Sequence, residues 1–438
     1  MIAFENLLWL LVLIGVMILV HEFGHYWAAR WFDVRIDVFS FGFGPRLFGF
    51  KRGETDFRFS VVLFGGYVKM AGEQPTDENI DDPRAFLAKP RWQRLIIAFA
   101  GPAMNIVLAV ALVTGIFMVH YPRLPGSSQE GVIGYVTPDS AAAKAGLREG
   151  DRIVAVEGVK NPTWEDIAIH EIQSANRPLD IRVQRAGREF WTTVTPKLDE
   201  RSGLGSAGWL REGEVEVASL SPALPAEKAG LRKGDILLSA NGKPIRSQAR
   251  LHEVIEAADG APVTIEYVRD GQHNQVTIQP VFDKVGGPGR WLIGVFPEPR
   301  MIISQLPFPE ALRQSLVHNA KGATLIYSFL KGIVERRLSP KTLNGPIGIA
   351  QLSGEAARQG AMAFIELMSM VSLNLAIFNL LPIPILDGGV ILLLFVEMVM
   401  RRDLSLRVKE AVFKLGFVFL VAIMAFVIYN DISKMLPG

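Results

Sequence analysis

His21-Glu22-Phe23-Gly24-His25 closes an uncharged run from Asn6 to Val20, and the reading of these five residues decides how the rest of the chain is placed. The apolar run reads as a membrane helix. On a helix, residues i and i+4 share a face, so His21 and His25 can offer two imidazoles to one metal ion. Glu22, beside the first of them, is placed to act as general base on a metal-held water. A charged group inside a bilayer costs roughly 2.5 to 3.5 kcal/mol. Two histidines and a glutamate at such a place therefore point to function rather than to a chance pentapeptide.

Bulk composition agrees with a divided architecture. The 438 residues suffice for about three ordinary domains. Hydrophobic residues make up 49% and the mean hydropathy is +0.25, which leans toward a membrane protein, yet 21% charged residues demand a sizeable water-facing part. A net charge of +2 argues against a nucleic-acid binder. With no cysteine in the chain, disulfides and thiolate metal sites are excluded, so any zinc must be held by histidine and carboxylate. The N-terminus has no basic region or small-residue cleavage site of a secretory signal, so the first apolar stretch reads as a retained span over about 4–30.

After that span the pattern changes to period-two alternation closed by glycine and proline, in Val38 to Pro45 and Asp56 to Val68. This predicts strands and turns. Following the HExxH helix directly, they form either an ordinary hairpin or a sheet edge that can take an extended substrate backbone by strand addition. Glu73 to Asp82 reads as a polar surface loop. Leu95 to Val119 is a second span, with Gly101, Pro102 and Asn105 read as the marks of a kinked, closely packed helix.

From Tyr121 to Pro299 the charge density rises and the block repeats itself. Lys144-Ala145-Gly146-Leu147 and Gly150-Asp151 recur as Lys228-Ala229-Gly230-Leu231 and Gly234-Asp235, a shift of 84 residues (230 minus 146). Two copies of one soluble domain follow. Beyond Pro309, Leu312, Leu316, Ala320, Ala323, Tyr327, Leu330 and Val334 share a helix side, suited to lying on a membrane or against the protein. His318 reads as a surface residue.

A third span runs from about Ala361 into Asn374-Leu375-Ala376-Ile377-Phe378-Asn379-Leu380-Leu381-Pro382-Ile383-Pro384-Ile385-Leu386-Asp387-Gly388-Gly389. Pro382 and Pro384 break the helix, which at membrane depth requires protein or water around the break. Asp387 then lies in unwound chain, free to face His21 and His25. Val390 to Met400 is too short to span and reads as re-entrant or interfacial. Val412 to Tyr429 is the last of four spans. Lys and Arg crowd Trp31 to Pro90 and Met400 to Lys414, which places those loops in the cytoplasm, and both termini and the repeated block outside.

The HEFGH motif at 21–25, the N-x-x-P-x-P-x-L-D-G motif from Asn379 to Gly388, and two intervening copies that resemble bacterial PDZ domains together resemble the site-2 protease family of intramembrane zinc metalloproteases. The likeness extends over nearly the whole chain. It implies a polytopic α-helical membrane protein with four transmembrane helices, a membrane-associated β-hairpin or sheet, and two tandem α+β PDZ domains. The expected layout is a first membrane half over 1–120, PDZ domains at 128–205 and 206–298, an amphipathic helix at 308–338 and a second membrane half over 361–438.

The same likeness implies that His21, His25 and Asp387 bind Zn2+ and that Glu22 is catalytic. Asn379, with Asn374, is expected to hold the substrate strand, and the sheet near Gly42, Phe43, Gly44, Gly65, Gly66 and Tyr67 to clamp it beside Pro382 and Pro384. Expected substrates are single-span proteins of the bacterial inner membrane, namely anti-sigma factors already shortened outside and leftover signal peptides. The PDZ pair either binds peptides or acts as a size filter. The rival reading is a non-catalytic PDZ scaffold or chaperone of the membrane; a transporter with a broken helix is disfavoured because the membrane segments carry no internal repeat.

Overall fold

The structure of the protein, a computed structural model, describes residues 2–73, 82–123, 130–199, 204–283, 289–335 and 345–435. Most of the expected acidic loop from Glu73 to Asp82 and Gly286 to Pro288 lie outside the described residues, as does the end of the expected 308–338 helix. The chain forms two units, Met1–Tyr121 with Gln305–Ser328 and Pro340–Gly438, and Pro122–Ser304 with Phe329–Ser339.

In the first unit four helices are long and apolar enough to cross a membrane: Ile2–Trp31, Arg91–Val119, Ala361–Asn379 and Leu406–Ser433. The first two run antiparallel, since His25 meets Ile97 while His21 meets Asn105. Leu13 and Met17 of the first helix pack with Leu108 and Leu112 of the second and with Phe364 and Met368 of the third. Small residues bring the backbones together, as expected where lipid tails supply no hydrophobic drive between helices. A Cβ on Gly24 would lie 2.3 Å from the Ala100 carbonyl oxygen.

Two features of this unit go beyond expectation. The helix Pro346–Gln359 was not anticipated, although Pro346 at its first turn and Gly360 at its end are ordinary helix punctuation. It packs on the first helix, and the buried Asp431 accepts from the N–H groups of Gly345, Ile347 and Gly348 at its start. The helix Phe308–Val334 packs on the protein through a side other than its apolar one, for which a membrane or the protein were both expected settings. Ala311, Ser315 and Asn319 are buried, and Ser315 Oγ donates to the Val110 carbonyl, whereas Leu316 and Tyr327 are exposed. Against a spanning helix, small and polar groups make the close contact, and large apolar ones face outward. His318 is exposed, as expected.

The alternating segment between the first two spans forms two long strands, β1 (Ile36–Arg52) and β2 (Thr55–Met70). They fold back on themselves. Phe39 pairs both with Val68 and with Phe57, so the start of β1 lies between the two ends of β2, and the end of β1 pairs with Thr55 to Ser60 on the far side. The lateral order is therefore 66–70, 36–41, 55–60, 46–52. Ser40 Oγ bonds Ser60 Oγ (3.0 Å) and the Gly42 carbonyl inside this sheet.

In the second unit the repeat is visible element by element. Strands Arg152–Val156, Leu179–Arg185 and Arg188–Val194 and helix Trp164–Gln173 recur 84 residues later as Ile236–Ala240, Val263–Arg269, Gln272–Ile278 and Gln248–Ala257. Each copy closes its own core, one around Ile133, Ile153, Ile167, Leu179, Ile181 and Val183, the other around Val217, Leu237, Leu251, Val263, Ile265 and Ile278. The Gly-Asp pair that marks the repeat has the same task twice. Asp151 accepts from the Arg148 N–H and from Arg185 (2.6 and 2.7 Å), and Asp235 from the Arg232 N–H and Arg269 (both 2.7 Å). A buried carboxylate needs such pairing.

The boundary between copies moves from the expected 205/206. Trp209–Arg211 pairs with Ile133–Val136, so it completes the first copy. The equivalent strand of the second copy, Val295–Pro299, pairs with Val215–Leu220 at the edge of the larger sheet. Arg250 bridges the copies, pairing with Glu149 and lying over the Tyr135 ring.

Candidate metal and catalytic centre

His21 and His25 point from one face of the first helix into its contact with the second, and both are buried. Their Nε2 atoms lie 3.3 Å apart. Asp387 Oδ2 is 3.1 Å from His21 Nε2, and Oδ1 is 3.4 Å from His25 Nε2. Among the described residues this is the group whose ligand atoms all fall within 4.8 Å of one another. His25 Nδ1 donates to the Ile97 carbonyl (2.8 Å). That bond holds the ring proton away from Nε2, whose lone pair then faces the carboxylate, as a ligand's must. Two imidazoles and one carboxylate form the donor set of a catalytic zinc site that leaves a position open.

Asp387 reaches this place because the third helix stops at Asn379 and a short turn reverses into the helix Asp387–Met400. The expected re-entrant segment thus begins three residues before Val390. Pro382 and Pro384 cannot donate to a helical ladder. Ile385, a β-branched residue, sits at φ 90°, a conformation that costs roughly 1 to 3 kcal/mol and persists only where the surroundings enforce it. Here two glycines allow the enforcement. A Cβ on Gly388 would lie 2.3 Å from the Leu381 carbonyl oxygen, and one on Gly389 2.3 Å from that of Ile383. The turn folds directly onto the start of the next helix, and Asp387 is carried into the site at its first position.

Glu22 stands beside the metal group and under the edge of the sheet. Val68, on the outer 66–70 segment of β2, lies close to its carboxylate. A Cβ on Gly66 would come within 3.2 Å of the Glu22 side chain. A cavity of 490 Å3 opens here, lined by His21, Glu22, His25 and Asp387. Of the residues expected at the substrate, Phe43, Gly65, Gly66, Tyr67 and Asn379 line the same cavity. Phe43 stacks on Tyr67 (6.0 Å between ring centres), an arrangement Gly65 permits because a Cβ there would overlap the Phe43 ring.

Gly42, Gly44, Asn374, Pro382 and Pro384 do not line the cavity among the described residues. Gly42 lies inside the sheet, against the Ser60 and Val62 carbonyls, and Pro384 packs against Gly416. The outer strand edge beside the site is thus 66–70, while of the 42–44 segment Phe43 reaches the cavity, Gly42 is buried in the sheet and Gly44 is exposed.

The description of peptidase family M50 matches residues 9–423, a stretch that contains the histidines, the aspartate and every helix that shapes the site. The chain belongs to peptidase family M50. This is the site-2 protease family, and the chain is accordingly a zinc metalloprotease. The regulator of sigma-E protease RseP of Salmonella typhimurium is 30% identical over 98% of this chain and 99% of its own. RseP of Escherichia coli is 29% identical over 97% and 98%. A Vibrio cholerae relative bearing a zinc metalloprotease name is 30% identical over 98% and 99%. With four apolar helices of spanning length, this M50 protein is a multi-pass membrane protein of the inner membrane.

Two residues of the second helix that read as helix packing also meet the histidines. Gly101 faces both imidazoles: a Cβ there would lie 2.3 Å from His25 Nε2 and 2.9 Å from His21 Cε1. Asn105, fully buried, lies 3.3 Å from His21 Nδ1, and its backbone carbonyl accepts from Ser372 of the third helix (2.9 Å). The available signal was the spacing itself, since a glycine and an amide four apart on a spanning helix share one face.

Proposed function

We propose that this M50 protease cuts a peptide bond within or near the transmembrane segment of single-span membrane proteins, with the anti-sigma-factor remnants and leftover signal peptides of regulated proteolysis as its substrate class. The observation that carries the reading is the convergence of His21, His25, Asp387 and Glu22 on one cavity beneath a sheet edge. Both termini and the PDZ-like pair are placed outside and the site toward the cytoplasm, by the basic loops that flank the spans.

His21, His25 and Asp387 hold the zinc ion in this reading. Zinc supplies a Lewis acid and an acidified water near neutral pH. Glu22 takes the proton of the attacking water and returns it to the leaving nitrogen. A helical substrate hides its carbonyls in its own hydrogen bonds, so it must unwind before attack. Added alongside β2 at Gly66 to Val68, the unwound segment recovers backbone bonds and lies across the cavity. Phe43 and Tyr67 wall this path and Asn379 offers its amide to the strand, with Asn374, Pro382, Pro384, Gly42 and Gly44 shaping the elements that carry them. The PDZ-like pair takes up peptide ends or excludes substrates whose outer domains are still large.

The direct test is cleavage of a model single-span substrate by wild type and by Glu22→Gln in detergent or vesicles. The protease reading expects at least a thousandfold loss in the variant, about 4 kcal/mol of barrier. A scaffold or chaperone is indifferent to that change, and an unaltered phenotype would establish it instead.

A further inference from the structure

We infer that Asn105 is a positioning residue for the metal centre: its amide oxygen accepts the Nδ1 proton of His21 and thereby frees Nε2 for the ion. The inference rests on the zinc reading above and concerns a residue on the second helix that carries no metal itself.

Three observations lead there. First, Asn105 is fully buried, and with its Nδ2 set 3.3 Å from His21 Nδ1, its Oδ1 has no hydrogen-bond partner among the described residues. An orphaned acceptor in a low-dielectric interior costs roughly 1 to 3 kcal/mol. Second, the two ends of an amide have nearly the same shape, so their assignment follows from the hydrogen bonds they make. An amide nitrogen facing Nδ1 requires that atom to be bare, which puts the ring proton on Nε2. There it would point at Asp387 and the other Nε2, and no lone pair would remain for an ion. Turning the amide gives the orphaned oxygen its donor, and the His21 Nε2 lone pair joins that of His25 and the carboxylate.

Third, the second helix already treats His25 this way, through the Ile97 carbonyl. A helical carbonyl points toward the C-terminus and a side chain leans toward the N-terminus. Ile97 and Asn105, eight positions apart, therefore converge on the level of Gly101, whose missing Cβ leaves room for both rings. One face of the second helix thus presents an acceptor, a gap and a second acceptor on three successive turns.

The test compares zinc retention of the full-length protein against a competing chelator for wild type, Asn105→Asp and Asn105→Leu, with Asp387→Ala as the reference for a lost ligand. Aspartate keeps the shape and can only accept, and leucine keeps the volume and does neither. Retention within about threefold of wild type in Asn105→Asp, with a loss of about 10- to 100-fold in Asn105→Leu, is the expected pattern. If Asn105→Asp loses zinc as leucine does, the amide is a donor, and if Asn105→Leu retains it, the residue only packs. Either result overturns the inference while leaving the site assignment intact. A wild type that binds no zinc, or no more than Asp387→Ala, overturns the assignment itself.

Discussion

Asp387 brings Oδ2 to 3.1 Å from Nε2 of His21, although the two residues stand near opposite ends of the chain. Neither belongs to an element that would place it there unaided. His21 is set by a straight spanning helix, and Asp387 by a broken one whose turn is strained at Ile385 and closed on Gly388 and Gly389. The second helix packs against both elements and backs the site.

Gly101→Ala tests that role. An added methyl would overlap His25 Nε2 at 2.3 Å, so the imidazole must turn from the site. Alanine is otherwise the better helix former by up to about 1 kcal/mol. The expected result is a zinc affinity lowered at least about tenfold, with detergent-solubilised protein that melts normally when metal-free. Wild-type zinc affinity in the variant would show that the rings do not rest against this helix.

The outer edge of β2 at Gly66 to Val68, which pairs with no further strand among the described residues, predicts that substrate unwinding enters the rate. Substitutions that stabilise the substrate helix by about 1.4 kcal/mol around the cleaved bond should slow single-turnover cleavage by up to about tenfold, and helix-breaking glycine should accelerate it. Equal rates across such a series would mean that the strand beside Glu22 plays no part in holding substrate.

Glu171 gives the soluble unit a pH signature. It is half-buried, and desolvation holds its carboxyl above the usual 4.5, against the opposing bonds from the Ala207 N–H (2.6 Å) and Trp209 Nε1 (2.8 Å). A carboxyl raised in the folded state binds its proton more tightly there than when unfolded. Its stabilising effect is complete below pH 4.5 and lost as the pH rises through the folded value. Glu171→Gln removes the ionisation. Thermal unfolding should therefore show wild type losing ground to the variant as the pH rises above 4.5, and a difference that stays constant with pH would refute the assignment.

What could be read from residues alone follows physical lines. The HEFGH motif and the PxPxLDG turn were readable because each places charge or proline where lipid penalises them, and the repeat because a Gly-Asp turn with a buried carboxylate tolerates little variation. Ile97, Gly101 and Asn105 were not recognised as part of the site, since a backbone carbonyl, a missing Cβ and a neutral amide leave no charge signal. For Phe308–Val334 the apolar spacing allowed a membrane-facing or a packed side and did not decide between them, because Ala311, Ser315 and Asn319, which are buried against the protein, carry little hydrophobic signal. Gly65 to Tyr67 were named from the sequence, but not that they form the outer edge, because strand alternation does not record which end of a long strand folds back across its partner.

The central claim is that His21, His25 and Asp387 hold one ion together and that Glu22 works beside it. The measurement that bears on it most directly is zinc content per purified chain for wild type, Glu22→Gln and Asp387→Ala, with cleavage of a single-span substrate read from the same samples. The account predicts about one zinc in wild type and in Glu22→Gln and at least a tenfold weaker hold in Asp387→Ala, with cleavage in wild type alone. Full zinc retention together with cleavage by Asp387→Ala would contradict it.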